Sequence, residues 1–312
     1  MRFLVAGELN LDLVLRNYLS FPVLGQETLV EDATLTLGSS GAICAAGLAK
    51  LGNQVFFAGK LGPDSWGDAC LEFLSKLGVD SSRVIRDAAV KTGITVSITS
   101  PRDRAMVTYL GAMEAMHAGE VSGFGFDGFH HLHISSVFLQ RALRPGLPAL
   151  LAQAHAAGLT TSIDPGFDPQ ENWGRDILEA LEEVDVFLPN EVELAGLTGL
   201  SSPAEALQAL KNRRTLTVAK LGSQGCAALE HGELVRVAAI PVEPVDTTGA
   251  GDSFNAGFLH AWLRKTPLRD ALLFGAACGA MSTQGAGGTT TQPTEAQAKA
   301  FLEQQGVAEP RS

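Results

Sequence analysis

The hydrophobic and polar positions follow two different rhythms along the chain. Residues 3–7 form a continuous apolar run, which predicts a buried first strand. Residues 13–37 and 92–110 instead alternate polar and apolar side chains, the second stretch with a turn at residues 101–103. Such alternation is typical of exposed antiparallel strands, because successive side chains of a strand point to opposite faces. We predict that both stretches join one small sheet outside the main domain.

From residue 131 onward, short apolar runs alternate with longer stretches of helical periodicity. Five of these runs are predicted to be strands: residues 132–135, 160–164, 184–188, 215–220 and 226–230. Strand–helix repeats imply parallel strands joined by right-handed crossovers. We therefore predict an α/β fold that spans residues 1–312 as a single domain. It has a mostly parallel central sheet, helices on both faces and a small β-sheet lid.

The composition indicates a large core and limits the partners. Hydrophobic residues make up 46% of the chain and aromatic residues 6%, as expected where helices pack closely on a buried sheet. The formal net charge of −11 disfavours nucleic acid and anionic membranes, because no basic stripe could replace phosphate counterions. No apolar run reaches the roughly 18 residues that a membrane helix needs. We expect a cytoplasmic protein whose four dispersed cysteines are buried and unpaired.

The strongest chemical signal is the string DTTGAGDSFNAG at residues 246–257, which leads into a predicted helix. Small residues at a helix start leave backbone N–H groups uncovered, and with the helix dipole these groups form an anion site. Asp252, directly after this site, would repel an anion. Its position makes sense if it accepts a proton from a hydroxyl while the site binds a phosphoryl group. The alternative is a helix-capping acid after a tight turn, but a string of this length favours catalysis.

This string closely resembles the C-terminal signature of the ribokinase-like (PfkB) carbohydrate kinase family, usually written D-T-x-G-A-G-D. The glycine-rich stretch at residues 38–67 is similar to the family's N-terminal signature. NEVE at residues 190–193 is similar to its N-x-x-E motif, and KLGSQG at residues 220–225 to its nucleotide-side turn. The matches stand in the family's order and cover essentially the whole chain. The resemblance implies a ribokinase-like three-layer αβα sandwich with a lid, using ATP and Mg²⁺.

The resemblance also assigns roles to individual residues. It implies that Asp252 is the catalytic base and that an anion nest, formed by the N–H groups of Gly249, Ala250 and Gly251, stabilises the phosphoryl group. The implied substrate side comprises four residues: Asn10, Asp12, Gly38 and Ser39. The implied nucleotide side comprises four others: Asn190, Lys220, Gly222 and Gly225. Gly38 and Ser39 would let the substrate approach the backbone closely.

Metal ions are implied at two places. Glu193, together with Asn190, would act on Mg²⁺ and phosphate through water, in keeping with the preference of Mg²⁺ for oxygen ligands and retained waters. The alternative is that this pair forms a helix N-cap with its capping-box partner. Asp246 and Thr248 resemble a monovalent-cation site for K⁺, to which residues 285–288 would contribute carbonyl oxygens.

Three positions depart from the family's pattern. Ile43 stands where the family often has an Asn that contacts the sugar, and Ala276 aligns with an Asn near the adenine. Asp164 is followed by Pro165 and Gly166, where the family often reads D-x-N. These changes disfavour a simple ribose- or ketodeoxygluconate-type pocket and indicate more apolar contacts to the nucleotide.

The predicted activity is ATP-dependent phosphorylation of a hydroxyl, expected to be primary, on a sugar or sugar acid. A nucleoside kinase of the same family is an alternative, with Phe21 and Tyr109 stacking on the base. A phosphosugar kinase would need a basic residue at the pocket mouth, and three arginines are candidates: Arg16, Arg102 and Arg104.

Two other classes of protein are disfavoured. A Rossmann oxidoreductase should carry G-x-G-x-x-G after the first strand, where this chain has GELN. A catalytically inactive sugar-binding regulator would not need the intact Asp252. We also expect the lid to form a homodimer interface, because several of its residues are too apolar for a thin sheet with water on both faces: Val14, Leu29, Val96, Ile98 and Val107.

Overall fold

The computed structural model describes residues 1–18, 20–99, 104–212 and 214–306. The predicted turn at residues 101–103, and with it Arg102, lies outside the described residues. The strands are β1 (Arg2–Ala6), β2 (Asn10–Arg16), β3 (Asp32–Leu37), β4 (Gln54–Leu61), β5 (Asp80–Arg86), β6 (Gly93–Thr99), β7 (Arg104–Tyr109), β8 (His131–Ile134), β9 (Thr160–Ile163), β10 (Val186–Phe187), β11 (Leu216–Lys220), β12 (Cys226–Glu230) and β13 (Glu233–Val237).

Helices fill most of the connections between these strands. They are α1 (Ser40–Lys50), α2 (Ser65–Lys76), α3 (Ala118–Gly123), α4 (Leu147–Ala156), α5 (Arg175–Ala180), α6 (Glu191–Thr198), α7 (Pro203–Ala209), α8 (Ala250–Trp262), α9 (Leu268–Ser282) and α10 (Glu295–Gln304).

The central sheet has the order β13-β12-β11-β10-β9-β8-β1-β4-β5. The strands from β11 to β5 are parallel, and β12 and β13 add an antiparallel edge. Alternate residues of β1 enter two separate cores: Phe3 and Val5 pack with α1, α8 and α9, whereas Leu4 and Ala6 pack with α4. The predicted mostly parallel sheet between two helical layers is confirmed.

The chain order in this sheet reverses at β1. The chain passes from β1 to β4 and β5 on one side, then crosses to β8 on the other side and continues outward to β11. Ligands of open α/β sheets bind at such a switch point, beyond the carboxyl ends of the strands. The fold therefore indicates where to look for the site.

The smaller sheet has the order β3-β2-β6-β7. Both alternating stretches join this one sheet, as predicted; its outer strand pairs are antiparallel, and the central pair of β2 with β6 is parallel. The register arranges side chains in rows across the sheet, since directly paired residues share a face. One face carries the row Leu35, Leu13, Val96 and Val107, and the other carries the row Thr36, Asp12, Thr95 and Thr108.

No helix among the described residues is long and apolar enough to cross a bilayer. The four cysteines are free and buried.

Candidate active site

The carboxyl ends of the parallel strands open into a cavity of about 1220 Å³, which the lid strand β2 closes from one side. Four polar residues reach this cavity from four strand ends: Glu8 after β1, Asp164 after β9, Asn190 after β10 and Lys220 at the end of β11. Because parallel strands end at one edge of the sheet, residues far apart in sequence meet here. We call this space the main cavity.

A second cleft of about 570 Å³ adjoins the main cavity. Its walls include several apolar side chains: Ile240, Pro241, Val242, Phe254 and Ala276. The predicted nucleotide-side residues Gly222 and Gly225 also line it, whereas Asn190 lines the main cavity. Five residues border both spaces: Lys220, Gly222, Thr247, Ala250 and Gly251. The anion nest and Lys220 therefore lie where the two spaces meet.

Helix α8 begins beside this junction. Its N-cap, Gly249, has a φ of 73°, and a Cβ there would lie 2.8 Å from Gly288 Cα, so this position requires glycine. The N–H groups of a first helical turn have no intrahelical partner and can bind an anion. The N–H of Ala250 donates to the Thr247 carbonyl over 3.3 Å, a long hydrogen bond within the turn. It is thus less free for an anion than the resemblance implies.

Asp252 is the third residue of α8 and lines the main cavity. Burial raises the pKa of Asp252 to about 8, and the negative charges of Asp164 and Glu8 add to the rise. The Lys220 ammonium works in the opposite direction and lowers the pKa of Asp252. A carboxylate with a raised pKa is a stronger base than an ordinary Asp once it is deprotonated.

Asp164 and Lys220 form a buried ion pair, with 2.6 Å between Asp164 Oδ2 and Lys220 Nζ. Asn255 of α8 donates its Nδ2–H to the same carboxylate oxygen over 2.5 Å. Burial by itself would raise the pKa of Asp164, but the Lys220 ammonium outweighs it and holds this pKa below its ordinary value. The resemblance placed Lys220 on the nucleotide side and gave Asp164 no role, and the structure joins the two residues.

Asn190 and Glu193 form the capping box that was the alternative interpretation of this pair. Asn190 Oδ1 accepts from the N–H of Glu193 over 2.9 Å, and Glu193 Oε2 accepts from the N–H of Asn190 over 2.8 Å. Burial, together with the charge of Asp164, raises the pKa of Glu193 to about 7. Both residues also line the main cavity, so the cap places a buried carboxylate at its wall.

The predicted substrate-side residues lie together at the base of the lid. Asn10 Nδ2–H donates to Asp12 Oδ1 over 2.8 Å. A Cβ on Gly38 would lie 2.2 Å from Asp12 Oδ1 and 2.5 Å from Asn10 Nδ2, so Gly38 makes room for these side chains. The group that closely approaches the backbone at Gly38 is therefore the Asp12 carboxylate, where the substrate was expected. The Ser39 hydroxyl accepts from the N–H of Ala42 over 3.1 Å, which caps α1.

Asp246 lies in a side cavity of about 780 Å³ between the lid and residues 286–288. Its two carboxylate oxygens accept from the N–H groups of Thr248 and Gly287, each over 2.9 Å. Arg16 of the lid adds an ion pair, with 3.9 Å between Arg16 Nη2 and Asp246 Oδ2. These contacts hold the pKa of Asp246 low although burial opposes them.

Two features of the site were missed in the sequence. Glu8 is buried, accepts from the N–H of Ser40 over 2.9 Å and lines the main cavity. Burial raises the pKa of Glu8 to about 7. The cavity-facing side of the lid carries a series of hydroxyl groups: Thr36, Thr95, Ser97, Thr99 and Thr108. The alternation of residues 92–99 was the available signal for the hydroxyls, and a charged residue directly after a buried strand was the signal for Glu8.

The fold and the site together fit an α/β phosphotransferase, with the Asp252 carboxyl beside a glycine-rich helix start. The model of the pfkB family carbohydrate kinases matches residues 2–295, and the chain belongs to this family. It is thus a phosphotransferase that acts on a sugar hydroxyl.

The chain is similar to named kinases over nearly its full length. The ATP-dependent ribose-1-phosphate kinase of Halopiger xanaduensis is 32% identical over 305 residues, 97% of this chain and 98% of that protein. The ribokinase of Arabidopsis thaliana, solved with ribose and ATP, is 25% identical with a TM-score of 0.81 and covers 96% of this chain and 98% of its own. A fructokinase double mutant from Vibrio cholerae O395, bound to fructose, ADP and a potassium ion, is 26% identical with a TM-score of 0.78 and the same coverage.

Proposed function

We propose that the chain transfers the γ-phosphoryl group of ATP to a primary hydroxyl of a sugar or sugar acid, with Asp252 as the general base. The observation that carries this proposal is the position of Asp252, on the cavity wall one residue beyond the anion nest. Members of this family use ATP with Mg²⁺. An ATP donor and free buried cysteines also support a cytoplasmic location.

The proposed reaction assigns a part to each wall of the cavity. Asn10, Asp12 and the lid hydroxyls would bind the sugar, and the apolar cleft would bind the adenine. The accepting hydroxyl would then lie between Asp252 and the anion nest. Asp252 would take the hydroxyl proton while the nest binds the phosphoryl oxygens. The N–H dipoles of the nest would then stabilise the negative charge of the phosphoryl group during its transfer. Closure of the lid would exclude water, which competes for the phosphoryl group.

Glu193 and Asn190 fit a role beside Mg²⁺, because a buried carboxylate and an amide side chain stand together on the wall of the main cavity. Mg²⁺ usually keeps several waters and is held by one or two carboxylates and substrate phosphates. When bound, the ion would neutralise phosphate charge. Asp246 and Thr248 stay a candidate K⁺ site, although the Arg16 guanidinium already faces Asp246 and would compete with a cation there.

The substitution Glu193→Gln tests the magnesium role. We expect a higher Mg²⁺ concentration at half-maximal rate, because the substitution removes a negative charge near the hydrated ion. The capping bonds should largely persist, since Gln at this capping-box position still accepts from the N–H of Asn190. A titration of initial rate against Mg²⁺ at saturating ATP measures the shift. If the variant and the unaltered enzyme give identical titrations, Asn190 and Glu193 act only as a helix cap.

One observation at the lid supports a second candidate substrate. Arg16 reaches the side cavity and is a candidate contact for an anionic substituent, which favours a phosphosugar as the second candidate substrate. The relative that acts on ribose 1-phosphate supports the same candidate. The nucleoside alternative loses one of its two proposed stacking residues, since Tyr109 pairs with Ile94 in a row on the lid face away from the cavity.

A coupled ADP-release assay over free sugars, sugar acids, nucleosides and phosphosugars tests the proposed function. We expect ADP release that depends on a sugar or sugar acid, and a response to phosphosugars would select the second candidate. ADP release that depends only on nucleosides, or on none of these acceptors, would contradict the proposal.

The lid face away from the cavity is also proposed as a homodimer interface. Its rows are apolar, and Val107 is 67% exposed and Leu35 44% exposed. An exposed apolar sheet face of this kind is typical of association surfaces. Of the apolar residues that suggested the interface, Val14 instead lines the side cavity.

The substitution Val96→Glu tests this interface. We expect a dimer for the unaltered chain at tens of micromolar and a monomer for the variant, because a charge in the middle of an apolar interface remains unpaired. Leu234→Glu on β13 is the matched control, since it places the same charge at an exposed apolar residue of the central sheet. Light scattering measures the assembly. If the unaltered chain is a monomer, the proposed dimer is wrong, but the proposed role of the lid in covering the substrate is not affected.

A further inference from the structure

Lys220 occupies an unusual position at the junction of the main cavity and the cleft. It is the charged member of the five residues that border both spaces. Its Nζ lies 3.6 Å from the position that a Cβ on Gly251 would occupy, so the ammonium packs beside the anion nest. A phosphoryl group held by the nest would therefore contact this ammonium.

The ammonium is both buried and fixed in place. Its side chain is only 12% exposed, Asp164 holds it through the ion pair, and Asn255 in turn holds the Asp164 carboxylate. Burial by itself lowers the pKa of Lys220, but the Asp164 and Glu193 carboxylates outweigh this effect and raise it. Lys220 therefore stays charged at neutral pH.

The same helix carries the base and the group that fixes the lysine. Asp252 and Asn255 are three residues apart on α8, a spacing that places side chains on one face of a helix. Asn255 holds Asp164, and Asp164 holds Lys220. Helix α8 therefore carries the base and, through Asn255 and Asp164, also fixes the ammonium beside the nest, as an electrostatic site for a developing charge requires.

A buried ion pair is not in itself a reason for stability, because desolvation of both charges offsets much of their attraction. The position of Asp164 and Lys220 at the cavity junction instead suggests a role in catalysis. We propose that Lys220 is a catalytic residue that contacts the phosphoryl group during transfer, and that Asp164 and Asn255 are positioning residues that aim its ammonium at the nest. This inference rests on the proposed function, which it deepens.

The step balances without a further reactant. The acceptor oxygen forms a bond to the γ-phosphorus, and the bond between this phosphorus and the bridging oxygen breaks, so ADP leaves. The hydroxyl proton goes to the Asp252 carboxylate. Lys220 keeps its three protons and stabilises the equatorial oxygens, on which negative charge is spread in such transition states.

The test compares three variants in the full chain: Lys220→Met, Asp164→Asn and the double variant that carries both. We expect Lys220→Met to lower kcat by roughly 10²- to 10³-fold, the effect of removing one such electrostatic contact. Lys220→Met alone leaves Asp164 buried without its cation and is at risk of misfolding. The double variant removes both charges, so it should fold with a melting temperature near that of the unaltered chain. Its kcat should still be at least about 10²-fold lower.

The pH profile separates positioning from mere structure. The charged groups that act on the Asp252 carboxyl are Asp164, Lys220 and Glu8. Loss of the negative charge in Asp164→Asn should lower the pKa of Asp252, so the rise of kcat/KM with pH should move to lower pH. Loss of the positive charge in Lys220→Met should move it to higher pH. If the ion pair lay away from the reacting base, neither displacement would occur.

Lys60 provides the matched control, because it is another buried lysine, paired with Glu120 over 2.8 Å. Lys60→Met combined with Glu120→Gln should leave kcat within about threefold, as expected away from the reacting atoms. A Lys220→Met/Asp164→Asn double variant with nearly unaltered kcat would overturn the inference, as would a change in the KM for ATP alone. If Asp252→Asn is inactive while that double variant is active, only this inference fails. If Asp252→Asn keeps its activity, the proposed function itself fails.

Discussion

The substitution Asp252→Asn should lower kcat by at least about 10²-fold, the low end of the contribution of a general base. Asn has nearly the same shape but cannot take the hydroxyl proton. Burial already raises the pKa of Asp252 to about 8, so replacing this carboxylate removes a desolvation cost and should not unfold the protein. ATP binding, measured by calorimetry, and the melting temperature should stay close to those of the unaltered chain.

Asp270 offers a matched control for the capping interpretation of Asp252. It is the third residue of α9, just as Asp252 is the third residue of α8, so both acids lie in a first helical turn. If first-turn acids act only on the helix dipole, both substitutions to Asn should have the same small effect, about 0.3–1 kcal/mol on stability. We expect Asp270→Asn to keep its kcat. Equal kcat values for the two variants would remove Asp252 from the mechanism.

The rate should also depend steeply on pH. Asp252 acts only when deprotonated, and its pKa in the free enzyme is raised to about 8. Well below that pH, kcat/KM should fall about tenfold for each unit, and the whole fall between pH 8 and pH 6 should be roughly 50-fold. Initial rates at low sugar concentration, in buffers of constant ionic strength, measure this limb. A flat profile from pH 6 to pH 8 would contradict the raised pKa.

The substitution Glu8→Gln tests whether Asp252 is the group that causes the fall of kcat/KM below pH 8. The Glu8 charge contributes to the raised pKa of Asp252, so its removal should move the limb to lower pH. The direction is diagnostic, because loss of a negative neighbour stabilises the deprotonated carboxylate. An unmoved limb would indicate that another group controls the rate.

The local patterns of the sequence were sufficient for much of this account. Period-two alternation predicted the lid strands, and the strand–helix rhythm predicted the parallel sheet, because both patterns follow from repeated burial of one face. The string around Asp252 could be interpreted because helix start, nest and acid are adjacent in sequence. These features depend on neighbours within about a dozen residues.

The remaining features depend on contacts between distant residues. Asp164 and Lys220 are 56 residues apart, and Asp164 and Asn255 are 91 apart, so no local pattern could join them. The parallel pairing of β2 with β6 likewise depends on the long path between two insertions. Gly38 was predicted to admit the substrate, whereas the structure places the Asp12 and Asn10 side chains against it.

The most direct test of the central claim is the phosphorus NMR spectrum of the product formed from ATP and the acceptor found in the ADP-release assay. Transfer to a primary hydroxyl predicts a new phosphomonoester signal that is split into a triplet by the two protons of an adjacent CH₂ group. One equivalent should form for each ADP released, and the signal should be absent with Asp252→Asn. A doublet would place the phosphoryl group on a secondary hydroxyl, and inorganic phosphate alone would mean that water is the acceptor. Either result would contradict the account.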